Sequence, residues 1–332
     1  MKKKQRNQQE VFMQRAIQLA TLGLGKTAPN PCVGSVIVYN GKIIGEGYHK
    51  KYGTAHAEVN AVRSVRPENR HLLPESTIYV TLEPCHHYGK TPPCVDLILD
   101  HKFRKVVIGC KDPNPKVGGK SIEKLRKNGV EVEVGILEKE CWEVAKRFMC
   151  FFTKKRPYII LKYAQSRDGF IGKKDKQVWI TGSQTKRLVH KWRHEEAAIL
   201  VGTNTAEIDN PTLTNRLWFG TQPLRLVIDT KSRLSNDLNI FNQAALTKVL
   251  DNGDIPTILH TLYEMKINSL IVEGGATLLN SFMKQNLWDE ARIFTGKSYL
   301  KEGVKAPDFL NILPVLVQKI GEDTLRIYQN EH

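Results

Sequence analysis

The sequence predicts an α/β protein built as two domains in tandem, and three observations carry this. The chain has 332 residues, whereas one domain usually runs to about 100–200. All six cysteines (Cys32, Cys85, Cys94, Cys110, Cys141 and Cys150) fall in the first 150 residues. The alternation of helical and extended segments stops at Phe151–Pro157 and then begins again. We expect one domain over residues 1–150 and a second over 155–332.

The elements of the first half follow in order. Residues 8–22 have helical periodicity, with Val11, Phe12, Ala16, Ile17, Leu19 and Ala20 apolar. Lys26–Pro31 is a turn. Gly34–Tyr39 is β-rich and meets Asn40-Gly41, a strong hairpin signal, with Lys42–Gly47 as the returning strand. Ala57–Val65 reads as a helix and Ile78–Leu82 as a buried strand. Pro93–Leu99 opens a helix with proline in its first turn. Val106–Cys110 is a strand, Gly119–Asn128 a helix closed by Gly129, Val130–Val134 a strand and Lys139–Cys150 a helix. Such alternation implies a layered α/β architecture.

In the second half, strands are expected at Tyr158–Tyr163, Ala197–Gly202, Leu224–Asp229, Ser269–Val272 and Glu290–Phe294. Helices are expected at Ser183–Trp192, Ile255–Met265 and Ala276–Gln285. Phe241–Asp254 shows no coherent pattern, and Asp229–Ile267 as a whole is short.

Composition narrows the function classes. Hydrophobic residues make up 41% and charged residues 25%, ordinary for a soluble globular chain. No apolar run approaches the roughly 20 residues that span a bilayer. Met1-Lys2-Lys3-Lys4 has no apolar segment behind it, so no signal peptide is expected and the cytoplasm is the expected location. The net charge is +16, yet the basic residues are scattered and no RNA-binding signature accompanies them. Nucleic acid is therefore not expected as a partner. In a cytosolic chain, six cysteines point to metal binding or burial rather than disulfides.

The informative constellation is His56-Ala57-Glu58, then Pro84-Cys85, then Cys94. One imidazole and two thiolates suit Zn²⁺, and three protein ligands leave a fourth position open for water. Glu58, two residues past the histidine, is placed to shuttle protons rather than bind metal. His-x-Glu followed by Pro-Cys and a helix-opening cysteine is the template of zinc deaminases. Here the two cysteines are nine positions apart, with His-His-Tyr-Gly-Lys-Thr-Pro-Pro between them. One zinc ion per chain is expected.

His56–Ala61 and Thr81–Cys94 resemble the deaminase domain of the bifunctional riboflavin-biosynthesis deaminase/reductases. So do Pro29–Gly34, Gly45–His49 and Lys111–Pro115, and the likeness runs through nearly all of residues 8–150. It implies a cytidine-deaminase-like three-layer domain that deaminates a diaminopyrimidinone ribosylamino 5′-phosphate. Carried over residue by residue, His56, Cys85 and Cys94 bind zinc and Glu58 is the acid/base. Asn30 and His49 touch the base or ribose, and Lys90 meets the phosphate as a point charge.

Alone, the second half offers only strand–glycine–helix turns at Gly202-Thr203 and Gly274-Gly275, without the full dinucleotide fingerprint. It resembles the reductase domain of the same family. The match lies in Leu161-Lys162, Ser166–Gly169, Trp179–Thr181, Val201–Thr203, Asp209–Thr214, Gln222–Arg225 and Val272–Gly275. The resemblance implies a dihydrofolate-reductase-like α/β fold that uses NADPH to reduce a ribosyl group to ribityl. Lys162, Trp179, Arg193, Asp209 and Arg216 would contact substrate. Thr203, Gly274 and Gly275 would contact NADPH, with Glu273 beside them. Relative to that family, Asp229–Ile267 lacks room for one strand and one helix, and Arg167 stands where leucine is usual.

Two rival readings share the zinc residues. A nucleic-acid base deaminase with a basic accessory domain suits the charge, but not the loop carrying Lys90 or the reductase-like second half. A zinc-stabilised structural module would normally supply four protein ligands, and three are found. The expected partners are a small pyrimidine ribosyl phosphate and further copies of the chain, with no membrane.

Overall fold

The computed structural model describes residues 2–88, 92–114, 117–307 and 312–330, with side chains from residue 7 onward. The chain forms two compact units, Met1–Lys154 and Lys155–His332.

The first unit runs α1 (Lys2–Thr21), β1 (Gly34–Tyr39), β2 (Lys42–Tyr48), α2 (Ala57–Ser64), β3 (Thr77–Leu82), α3 (Cys94–Asp100), β4 (Lys105–Cys110), α4 (Lys120–Lys127), β5 (Glu131–Val134), α5 (Glu138–Val144) and α6 (Lys146–Lys154). Its sheet has the order β2-β1-β3-β4-β5. The pairs β2/β1 and β1/β3 are antiparallel, and β3/β4 and β4/β5 are parallel. The hairpin forms at Asn40-Gly41, both with positive φ (46° and 74°), the twist that a two-residue turn between right-twisted strands needs.

Both faces of this sheet are covered. Val36, Val38, Tyr79 and Val107 pack with Phe12, Met13 and Ala16 of α1 and with Cys141 of α5. Their neighbours Ile37, Ile78, Val80, Val106 and Ile108 pack on the opposite face with Ala61, Val95, Ile98 and Leu125. The two-residue period of the strands thus sorts one run of apolar residues into two cores, giving three layers. Gly47 sets the close approach of α2 to β2: a Cβ there would lie 2.3 Å from the Ala61 nitrogen.

The helix expected at Lys139–Cys150 is two helices. The break falls at Ala145, the C-cap of α5 with φ −99° and ψ 6°, and α6 continues to Lys154. Phe148 and Phe152, one turn apart on α6, pack with ring centroids 4.7 Å apart.

The second unit runs β6 (Tyr158–Gln165), β7 (Phe170–Gly172), α7 (Ser183–Glu195), β8 (Ala198–Gly202), α8 (Thr203–Asp209), β9 (Leu224–Ile228), β10 (Thr247–Leu250), α9 (Ile255–Glu264), β11 (Ser269–Val272), α10 (Ala276–Lys284), β12 (Glu290–Thr295), β13 (Val304–Lys305), β14 (Leu316–Ile320) and β15 (Asp323–Gln329). The main sheet has the order β10-β9-β8-β11-β6-β12-β15-β14. Its strands are parallel from β10 to β12, and the C-terminal hairpin adds two antiparallel strands. Ile159, Leu161, Leu200, Leu226, Leu270 and Val272 join Leu259, Leu262, Leu279 and Phe282 in one core.

The stretch 241–254, patternless in sequence, is a correction. It holds β10, which pairs Thr247–Leu250 with Arg225–Ile228 and forms the parallel edge of the sheet. Four residues bonded on one side, with Lys248 and Val249 exposed, are too few to display a period. The segment is anchored by Arg225, which is fully buried. Its guanidinium donates to the carbonyl of Thr212 (3.0 Å), to the Asn242 side chain (2.9 Å) and to the carbonyls of Asn242 and Ala245. No helix among the described residues is long and apolar enough to cross a membrane.

Candidate active sites

In the first unit the strand order brings three sequence-distant segments to one point. His56 is the N-cap residue of α2, and Cys94 is the first residue of α3. Cys85 lies just past β3, where Pro84 is tied down: its carbonyl accepts from the Ser121 hydroxyl at 2.6 Å. The Cys94 amide donates to Cys85 Sγ (3.2 Å) and the Val95 amide to the Cys85 carbonyl (3.2 Å). His56 Nδ1 then lies 3.5 Å from Cys85 Sγ and 3.3 Å from Cys94 Sγ. The three donor atoms fall within 4.8 Å of one another, the only such group among the described residues.

The electrostatics suit a cation. The Cys94 thiol donates to Cys85 and His56 adds a further bond, so the Cys85 thiol is held well below its ordinary pKa. Cys94 is pushed up in turn. One imidazole nitrogen and two sulfurs, one of them readily ionised, make a donor set that fits Zn²⁺. Glu58, in the first turn of α2, is 3% exposed. Burial raises its carboxyl, and the Cys85 charge adds to this.

Asn30 and His49 meet at the rim of this cluster, with Asn30 Nδ2 3.3 Å from His49 Nε2. The His49 ring stands edge-on to His56 at 5.4 Å between centroids. Lys90 lies outside the described residues. Two contributors were not singled out in sequence. Glu83, buried, accepts from the Gly119 amide (3.0 Å) and the Asp112 amide (3.4 Å), fastening the segment after β4. Asn60 on α2 donates to the carbonyls of Tyr48 (2.9 Å) and Ala55 (3.1 Å). Both fall within family-like motifs, but a Glu or Asn beside a motif has no spacing rule that marks it.

In the second unit, register explains the central cluster. Val272 of β11 pairs with Leu161 of β6, so the next residues, Glu273 and Lys162, are neighbours. Lys162 Nζ lies 3.3 Å from Glu273 Oε2. Arg193, in the last turn of α7, donates Nε to Oε1 (2.9 Å) and Nη2 to Oε2 (2.8 Å) of the same carboxylate. Burial alone would raise the Glu273 carboxyl, but Arg193 and Lys162 outweigh it and hold it at about 2.

The carboxyl ends of adjacent parallel strands form the crevice where open α/β sheets bind ligands. Thr203 follows β8 there and donates its hydroxyl to the Ile228 carbonyl at 2.6 Å. Gly275, following β11, donates its amide to Thr205 Oγ1 at 3.0 Å. A Cβ on Gly202 would meet no atom within 4 Å, so the backbone there faces open space. Asp209 ends α8, with burial raising its carboxyl. Trp179 is exposed beneath Lys186 Nζ, 3.6 Å from the ring centroid. Arg216 is exposed, in a segment held by the Leu217 amide, which donates to His190 Nδ1 at 3.4 Å. Sequence reasoning missed His190, whose spacing from Arg193 is only that of one helical turn. Burial lowers it to about 4, with Arg193 and Arg216 adding to the effect.

Residues 6–110 match the family model of the cytidine and deoxycytidylate deaminase zinc-binding region. Residues 157–297 match that of the RibD C-terminal domain. The riboflavin biosynthesis protein RibD of Aquifex aeolicus is 35% identical, covering 96% of this chain and 97% of the relative. RibD of Actinobacillus pleuropneumoniae is 40% identical over 83% of this chain and 80% of its own length. A Thermotoga maritima diaminohydroxyphosphoribosylaminopyrimidine deaminase/5-amino-6-(5-phosphoribosylamino)uracil reductase superposes with a TM-score of 0.89 at 36% identity, covering 98% and 99% of the two chains. Acinetobacter baumannii RibD superposes with a TM-score of 0.89 at 32% identity, covering 98% of this chain and all of the other.

Proposed function

The chain belongs to the RibD family of riboflavin-biosynthesis deaminase–reductases, and from that premise we propose which residues carry each half-reaction. The observation that carries the proposal is the convergence of His56, Cys85 and Cys94 next to buried Glu58. These three residues hold one zinc ion. Zinc supplies Lewis-acid activation of the attacking water.

Hydrolytic deamination replaces an exocyclic amine by oxygen, so a proton must leave water and another must reach the departing nitrogen. Glu58 performs both transfers, being the carboxylate buried in the first turn of α2, two residues past His56. Asn30 and His49 belong to the base and ribose side of the site, and Lys90 to the phosphate. The substrate is a diaminopyrimidinone ribosylamino 5′-phosphate, a reading supported by the Thermotoga relative's name, diaminohydroxyphosphoribosylaminopyrimidine deaminase.

In the second unit NADPH, when bound, would supply the hydride that, together with a proton, turns ribosyl into ribityl. Thr203, Gly274 and Gly275 border the cofactor at the strand ends. Lys162 and Arg193 present positive charge to the substrate, oriented by Glu273, while Trp179, Asp209 and Arg216 line its approach. The match of residues 157–297 to a reductase domain takes the place of a basic accessory domain. Cysteines that form no disulfide among the described residues suit a reducing cytoplasm. Leu313, Val315, Leu316 and Val317, exposed at the edge strand, offer a face for a second copy of the chain.

The deciding experiment incubates the protein with the pyrimidine phosphate, with and without NADPH, and identifies the products. Ammonia release without NADPH, and a ribityl product only with it, are expected. Release of neither product would overturn the assignment.

A further inference from the structure

His49 and Asn30 reach the deaminase site from different segments, and their hydrogen bonds are directional. His49 follows β2 and is 3% exposed. Its main-chain N–H donates to the Val33 carbonyl at 2.9 Å. Its ring Nδ1 lies 3.1 Å from the Ala55 carbonyl. A carbonyl only accepts, so Nδ1 carries the hydrogen. Its Nε2 lies 3.3 Å from Asn30 Nδ2, an amide nitrogen that only donates. Nε2 therefore offers its lone pair. Both ring nitrogens are engaged within the protein, and neither is left for a substrate.

Asn30 keeps Oδ1, which only accepts, and the second hydrogen of Nδ2. The two ends of an asparagine amide have nearly the same shape, so a flip costs little sterically, and hydrogen bonding decides the orientation. The chain of bonds that decides it here begins on the helix of the catalytic residues. Asn60 of α2 holds the Ala55 carbonyl (3.1 Å) and the Tyr48 carbonyl (2.9 Å). Ala55 directly precedes His56, and its carbonyl fixes the His49 ring.

We propose that His49 does not touch the substrate but acts through Asn30, as a positioning residue that locks the amide with Nδ2 inward and Oδ1 toward the substrate. Oδ1 then accepts from a donor of the substrate, a hydroxyl or an amine N–H. Without the lock, the flipped amide presents N–H where an amine N–H of the substrate stands, and that hydrogen bond is lost. This inference rests on placing deamination at His56 and Glu58.

The test is a double-mutant cycle on the full-length zinc protein, read as kcat/KM for ammonia release from the diaminopyrimidinone ribosylamino 5′-phosphate. Zinc content and thermal unfolding are measured on every variant. Asn30→Ala and His49→Leu are each expected to lose about tenfold or more. The double variant should fall within about twofold of Asn30→Ala alone, since His49 has nothing left to position. His49→Gln, whose Oε1 can accept from Asn30, should recover most of the loss. Asn30→Asp leaves no cavity but removes the donor to Nε2, and should lose as much as His49→Leu. Losses that multiply in the double variant would overturn the proposal, as would an unimpaired Asn30→Asp should His49→Leu not fold. A wild-type protein that releases no ammonia would instead remove the site assignment beneath it.

Discussion

Arg193 grips Glu273 through two parallel hydrogen bonds, Nε to Oε1 at 2.9 Å and Nη2 to Oε2 at 2.8 Å. Lys162 approaches the same carboxylate at 3.3 Å. Glu273 therefore balances two cations in a buried site. Removing one partner of a buried ion pair costs about 3–5 kcal/mol, because the remaining charge stays buried and unpaired. Glu273→Gln is expected to destabilise the second unit on that scale and to depress NADPH-dependent reduction, while ammonia release persists. Denaturant melts and the two half-reactions measured separately check this. Wild-type reduction by Glu273→Gln would release Glu273 from any role in the site.

Acid should weaken the second unit in two stages. His190 is lowered to about 4 in the folded chain from an ordinary 6.5, so the unfolded chain takes up its proton first and stability falls as pH drops from 6.5 toward 4. Glu273 is held at about 2 against an ordinary 4.5, so its contribution is present above pH 4.5 and is lost below it. Four of the five tryptophans (Trp179, Trp192, Trp218 and Trp288) lie in this unit, so fluorescence-detected urea unfolding reports on it. His190→Asn should flatten the curve between pH 6.5 and 4. Parallel curves for variant and wild type would exclude His190 as the cause.

Zinc content should follow the cysteines. Cys85→Ser replaces the more readily ionised thiol with an alcohol, and the purified protein is expected to carry far less than one zinc per chain by elemental analysis. A full equivalent in that variant would mean that the metal sits elsewhere.

Glu58→Gln should separate the two activities. General acid–base catalysis typically contributes about 10² to 10⁴ in rate, and Glu58 serves two transfers. A loss at or beyond the upper end is expected, with zinc retained and with reduction of pre-deaminated substrate intact. Deamination surviving within about tenfold would assign the proton transfers to another group.

Arg225→Lys should loosen the loop that follows Asp209. Lysine cannot fork to the carbonyls of Thr212, Asn242 and Ala245 together. A stability loss of about 1–3 kcal/mol is expected, because the buried Arg225 loses acceptors and part-buried carbonyls lose their donor, with a raised KM for the reductase substrate. An unchanged melting curve would show that water takes over these bonds.

Composition and short-range pattern determined a good part of this protein. The Asn40-Gly41 hairpin, the alternating strands of both halves and the spacing of His56, Glu58, Cys85 and Cys94 are local features, and local rules read them. Tertiary structure decided what depends on partners far along the chain. β10 is a strand only because Arg225–Ile228 lies beside it. β14 and β15 were not anticipated, since four of the five β14 residues are exposed and Gly321 turns the chain at a φ of 61°. The register of β11 on β6 made neighbours of Lys162 and Glu273, which are 111 positions apart. The proposed lock of His49 on Asn30 depends on Ala55 and Asn60, which nothing in the sequence singles out. A pattern records how often a side chain recurs along one element, whereas a hydrogen bond between elements is fixed only once packing has brought its donor and acceptor together.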